Sequence, residues 1–187
     1  MRIFESSYEL FMTTQNTFSR VIHRIDLLSA LLKAVAILLA YVFGDWFADL
    51  FSQGSGAIWL GVMLACTSAV IVIDTEGVRS SIKMGWLRLL GTFMGAVLAY
   101  VYLLLFEFNI GGMALAVVIL SLICMAFGIP DGGKIATITL IIVLVVSKIE
   151  PNISPLLNGA LRFGESAVGT LIGIGVSWVA EKLKKST

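Results

Sequence analysis

The chain has 187 residues, 58% of them hydrophobic and 13% charged, with 13 Lys and Arg against 12 Asp and Glu and a formal net charge of +1. Soluble domains run at roughly 45–50% apolar and about 25% charged, so this composition excludes an ordinary water-soluble fold and makes the bilayer the solvent. A charge so close to zero also lacks the basic footprint of a nucleic-acid partner.

The first residues, MRIFESSYEL, carry acids early and no short apolar core with a small-residue cleavage site, so they do not read as a secretory signal. Phe4, Tyr8 and Phe11 recur at helical spacing, as do Phe18, Val21, Ile22 and Ile25. Residues 1–26 therefore read as a cytoplasmic or interfacial amphipathic helix, with a frayed tail as the alternative. Beyond them, six apolar runs approach the roughly 20 residues that span a bilayer core: Leu27–Phe47, Ala57–Ile73, Gly85–Phe106, Ile110–Ile129, Ile135–Ile149 and Leu161–Ala180. Turn-forming clusters separate them (SQGSG, DTEG, EFNIGG, IPDGG, EPNISP). The expected fold is all-α and integral to the membrane, with six transmembrane helices.

Lysine and arginine set the orientation. Arg2, Arg20 and Arg24 precede the first run. Arg79, Lys83 and Arg88 lie between the second and third, Lys134 between the fourth and fifth, and Lys182, Lys184 and Lys185 after the sixth. The opposite loops hold Lys148 and Arg162 alone. This bias puts both termini in the cytoplasm. The four tryptophans, Trp46, Trp59, Trp86 and Trp178, fall near run ends, where an aromatic belt would place them.

GTFMGAVLAY begins at Gly91 and GTLIGIGVSW at Gly169, 78 residues later. The same shift carries the first run onto the fourth and the second onto the fifth. This gives a 3+3 repeat, 27–106 and 107–182, followed by a short cytoplasmic tail at 183–187. An odd number of spans per copy makes the second copy cross in the opposite sense. Such inverted repeats are common in transporters.

In lipid, small residues let helix backbones approach. Gly91, Gly95 and Ala99 form one such stripe, and Gly169, Gly173 and Ser177 its counterpart. The third and sixth runs are therefore expected to pack closely, against each other or across a subunit contact. Glu76, Arg79 and Lys83 lie at helical spacing, which extends the third helix back to about residue 76. Ionisable groups at membrane depth face a cavity or a partner, or else snorkel to the headgroups. For Arg88, Arg162 and Glu165 both readings stand. Arg79 and Lys83 are further candidates, and for Lys83 snorkelling is the simpler reading. If these groups line a path, guanidinium forks would bind carboxylates, and Thr92 and Thr170 would add hydroxyl contacts.

The stretch SSIKMGWLRLLGTFMGAVLAYVYLLL resembles the hallmark of the fusaric acid resistance and aromatic acid exporter superfamily. In that family an arginine precedes GT and a further glycine at the head of the third span, here Arg88, Gly91, Thr92 and Gly95. NGALRFGESAVGTLIGIGVSWV is similar to the family's sixth span, with Arg162 and Glu165 as its arginine and acid. The resemblance covers nearly all of Leu27–Lys182. It implies a six-helix, multi-pass module of the inner membrane that exports aromatic or other organic acids. Plant aluminium-activated malate transporters look like distant relatives that work as dimeric anion channels, so a homodimer or higher homo-oligomer is expected.

Cys66 and Cys124 lie inside apolar runs with no CxxC and no neighbouring histidine, and read as packed thiols. His23 stands alone. No metal, nucleophile or phosphate-loop motif appears, so neither a cofactor nor an enzyme activity is expected. The leading function is outward transport of small organic anions through the bilayer. The competing one is a non-transporting scaffold or subunit of a larger membrane complex, in which the glycines serve assembly and the charges fix topology.

Overall fold

Six helices in chain order make up the computed structural model, which describes residues 27–51, 55–73 and 77–186. They are α1 (Leu27–Phe51), α2 (Ser55–Val72), α3 (Val78–Leu105), α4 (Ile110–Ala126), α5 (Pro130–Ile149) and α6 (Pro155–Ser186). The amphipathic helix expected over 1–26, and His23 with it, lies outside the described residues.

Local chemistry sets the helix ends. Gly77 (φ 147°) leads into α3 and Gly128 (φ 69°) turns the chain between α4 and α5, both in the region where a side chain is disfavoured. The Gly128 turn stops α4 at Ala126, three residues short of the apolar run. The Asn109 side chain caps α4 by accepting from the Gly112 amide at 2.6 Å, and Ser154 Oγ accepts from the Leu157 amide at 3.2 Å to cap α6. Proline stands in the first turn of α5 and at the first position of α6, where its missing N–H is not needed. In α5, Asp131 in the first turn and Lys148 in the last complement the helix dipole. Hydropathy alone underestimates α3 and α6, which begin seven and six residues before their apolar runs.

Four helices, Leu27–Leu50, Val78–Leu105, Asp131–Ile149 and Pro155–Lys185, are long and apolar enough to cross a membrane. Ile58–Val72 and Ile110–Ala126 are equally apolar but shorter. Large apolar side chains cover the outside: Leu38, Val42, Met63, Phe93, Leu104, Leu122 and Leu171 are exposed, as are all four tryptophans. Such a surface needs lipid around it, and the chain is a multi-pass membrane protein.

Helices α3 and α6 form the centre. They pack on each other, α3 packs on α5, and α6 packs on α2; α1 lies against α2 and α6, and α4 against α5 and α3. The α3–α6 crossing is antiparallel: Gly85 meets the Thr170 and Ile174 side chains, and Gly159 meets Ala96. The glycine stripes singled out in the sequence face elsewhere. Gly91 and Gly95 lie on the Gly132 and Ala136 carbonyls of α5, and Gly169 and Gly173 on the Ala65 and Ala69 carbonyls of α2. The stripes therefore fix the outer pairs, while Gly85 and Gly159 bring α3 and α6 together. An apolar core of Ala99, Ala116, Leu120, Ala136, Leu140, Val143 and Leu144 fills the α3–α4–α5 side, and a smaller one with Ala36, Ala40, Ala69, Ile73 and Val176 fills the α1–α2–α6 side.

Candidate functional site

A layer of polar side chains is sealed where α2, α3 and α6 meet. Arg88 is 4% exposed, Arg162 0% and Glu165 1%, so neither arginine reaches the headgroups. Thr92, Ser166, Thr170 and Ser68 are buried with them. Charges so enclosed are costly unless paired and hydrogen-bonded, and the contacts show how far each is satisfied.

At the middle of the crossing, Thr92 Oγ1 and Ser166 Oγ lie 3.2 Å apart. Thr92 also donates to the Arg88 carbonyl at 2.8 Å, a bond available one turn back along a helix. Arg88 Nε donates to Ser68 Oγ at 3.1 Å. Ser68 donates to the Leu64 carbonyl at 2.6 Å and sits 3.3 Å from Ser166 Oγ. A serine of α2 thus holds one edge of the Arg88 guanidinium and lies within 3.3 Å of the Ser166 hydroxyl of α6.

Arg162 is held differently. Its Nη1 lies 3.0 Å from Glu165 Oε2, close enough for an ion pair but not aligned as a hydrogen bond. Its Nε donates to Asn158 Oδ1 at 3.3 Å. Asn158 in turn donates to the Val143 carbonyl and to Ser147 Oγ of α5, each at 3.1 Å. The Glu165 carboxylate rests against Gly61 of α2, where a Cβ would collide with it.

Because α3 and α6 run antiparallel, the two arginines lie on opposite sides of the Thr92–Ser166 contact. Each is four residues from its hydroxyl, so their backbones are about 12 Å apart along the crossing. Thr170, one turn beyond Ser166, falls at the level of Arg88. Its Oγ1 is buried with no hydrogen-bond partner among the described residues. No carboxylate among the described residues pairs with Arg88.

The sequence-predicted residues divide accordingly. Arg88, Thr92, Arg162, Glu165 and Thr170 come together. Arg79 and Lys83 are exposed on the outside of α3, away from the layer. Ser68, Ser166 and Gly61, small residues within apolar runs, and Asn158, a neutral residue just ahead of one, belong to the layer but carry no sequence signal of their own. Ser166 was within reach of one comparison: RLLGTFMG at Arg88–Gly95 matches RFGESAVG at Arg162–Gly169 in its arginine, its hydroxyl and its last glycine.

On the outer face between α3 and α6, on the Arg162 side of the Thr92–Ser166 contact, an apolar groove of about 310 Å³ is lined by Phe93, Ala96, Tyr100, Leu156, Gly159 and Phe163, among others, and by none of the buried polar side chains. Phe93 and Phe163 meet edge to face with ring centroids 6.1 Å apart, a favourable aromatic geometry.

No curated protein and no solved structure matches the chain. The model of the fusaric acid resistance protein-like family matches residues 35–180, from within α1 to within α6 and across the whole buried layer, and the chain belongs to that family.

Proposed function

We propose that this protein exports organic anions, aromatic carboxylates foremost, across the inner membrane. The observation that carries this reading is Arg88: a guanidinium enclosed in an apolar bundle, held by one serine, with no carboxylate partner among the described residues and an unpartnered threonine hydroxyl at its level. A carboxylate would accept from its free edge bidentately and from Thr170. The family consists of transporters rather than enzymes, and the proposal assigns no covalent chemistry and no cofactor.

The same reading takes the bundle as six crossings with both termini cytoplasmic, the orientation favoured by the basic residues. The 17 residues of α4 reach about 26 Å, at the short end of what spans a bilayer. It also takes the halves as inverted repeats, and the contacts support a particular register. Moving α3 onto α6 by 74 residues and α2 onto α5 by 71 turns the Gly95–Ala136 and Gly95–Thr139 contacts into Gly169–Ala65 and Gly169–Ser68, and Gly85–Thr170 into Gly159–Ala96. Thr92–Ser166 maps onto itself, as a contact on a two-fold axis must. For α3 and α6 this register is one helical turn from the 78-residue shift that the GTxxG pair favours, and for α2 and α5 it is about two turns from it. Alternating access would then rock one half against the other about the α3–α6 crossing, with a homodimer as the working unit.

The test is efflux of labelled benzoate from proteoliposomes, comparing wild type with Arg88→Ala and Arg162→Ala. Saturable flux in wild type and its loss with Arg88→Ala support the reading. Equal flux in all three proteins removes the site, and wild-type flux no greater than that of empty vesicles, over a broad acid panel, leaves a scaffold.

A further inference from the structure

The two arginines occupy matching places on α3 and α6, and one of the differences between their settings is a charge. Each is followed three residues later by a site facing the partner half and four residues later by the central hydroxyl: Arg88, Gly91, Thr92 on α3 and Arg162, Glu165, Ser166 on α6. On α3 the third position is Gly91, pressed on the Gly132 carbonyl of α5 with no room for a side chain; a Cβ there would come within 2.6 Å of that oxygen. On α6 it is Glu165, and the facing residue, Gly61, leaves the space its carboxylate fills. The layer therefore holds two positive charges and one negative.

Other charged groups stand outside it. Arg79 and Lys83 of α3 are exposed. On α6, Glu181 accepts from Lys185 and from the Val78 amide at the far end of the helix. On α5, Asp131 and Lys134 are exposed at one end and Lys148 lies at the other. Among the described residues, α2 and α4 carry no Asp, Glu, Lys or Arg, and those of α1 are Lys33, Asp45 and Asp49, none buried. One positive charge in the layer, that of Arg88, has no counter-charge among the described residues.

Resting on the transport reading, we propose that Glu165 sets the charge of the anion that the site accepts. By neutralising Arg162 it leaves Arg88 as the one open cation, so a monoanionic carboxylate balances the layer and a dianion overcharges it. Specificity then comes from an unpaired charge built against the wrong ligand as much as from contacts to the right one. Removing the acid uncovers Arg162 about 12 Å along the crossing and creates a site for a second carboxylate on the same molecule.

The probes are benzoate, terephthalate and benzamide at neutral pH: one ring carrying one charge, two charges on opposite sides, or none. Flux into proteoliposomes and thermal stabilisation of the detergent-purified protein are measured for each. Wild type should favour benzoate over terephthalate by roughly tenfold or more and ignore benzamide. Glu165→Gln should reverse that order or narrow it by roughly tenfold, Glu165→Asp should keep the wild-type order, and Arg88→Gln should lose both anions. A benzoate-to-terephthalate ratio unchanged in Glu165→Gln overturns the proposal and leaves transport standing. A wild type that prefers terephthalate overturns it too, with no variant needed. A wild type that neither moves nor binds any of the acids overturns the transport reading and this one together.

Discussion

Alanine at Gly169 and at Gly175, two positions on one helix, should act with opposite sign. At Gly175 a methyl group meets nothing within 4 Å, and alanine is the better helix former by roughly 1 kcal/mol, so Gly175→Ala should be neutral or slightly stabilising. At Gly169 the new Cβ would collide with the Ala65 carbonyl oxygen and come within 2.8 Å of both Ala65 C and Ser68 Cβ. Favourable carbon contacts lie at about 3.5–4.0 Å, so α2 must retreat by about 0.7 Å or more along a backbone that cannot rotate away. Overpacking of this kind costs about 1–3 kcal/mol. Because Ser68 rides on α2, the same shift should also break its 3.1 Å bond from Arg88. Thermal unfolding in detergent reads the first effect and benzoate binding the second. If Gly169→Ala is as stable as Gly175→Ala, the close α2–α6 contact is wrong, and with it the placement of Ser68 against Arg88.

Thr170→Val removes a buried hydroxyl that has no partner among the described residues and keeps the shape. Stability should hold or rise by up to about 2 kcal/mol, while benzoate affinity falls; unchanged affinity would take Thr170 out of the site. Breaking the Arg162–Glu165 pair from one side should cost about 3–5 kcal/mol. Arg162→Gln combined with Glu165→Gln should cost less than the sum of the two, measured as a double-mutant cycle by denaturant unfolding; additivity would mean the pair does not interact. In a background carrying Cys66→Ala and Cys124→Ala, a membrane-impermeant maleimide added outside intact cells should label Lys148→Cys and spare Lys134→Cys. The reverse pattern would invert the topology.

Much of the fold was legible because lipid makes hydropathy decisive: all six helices lie where apolar runs lie. What was hidden lay at the ends and in the middle. Pro155 starts α6 six residues before the apolar run, so Arg162 is not in a loop ahead of the helix but a full turn and more inside it, where Asn158 and Glu165 can enclose it. Hydropathy counts Asn158 as loop, whereas a helix end needs only caps. Arg88 and Arg162 were visible as charges in the wrong solvent, but nothing in the one-dimensional pattern said which carried its own acid. Ser68 and Ser166 matter through their position against other helices, information that a small hydroxyl does not advertise. The glycines were visible as contacts but not as to partner, since a stripe shows which face is bare and not which helix fills it.

Equilibrium binding of labelled benzoate to the purified protein, wild type against Arg88→Gln, bears most directly on the central claim that an enclosed arginine awaits an organic anion. The account predicts saturable binding to wild type, competed by other aromatic acids and not by benzamide, and its loss in an Arg88→Gln protein that remains folded by thermal unfolding. Saturable binding that survives Arg88→Gln unchanged, or no binding to wild type, would contradict it.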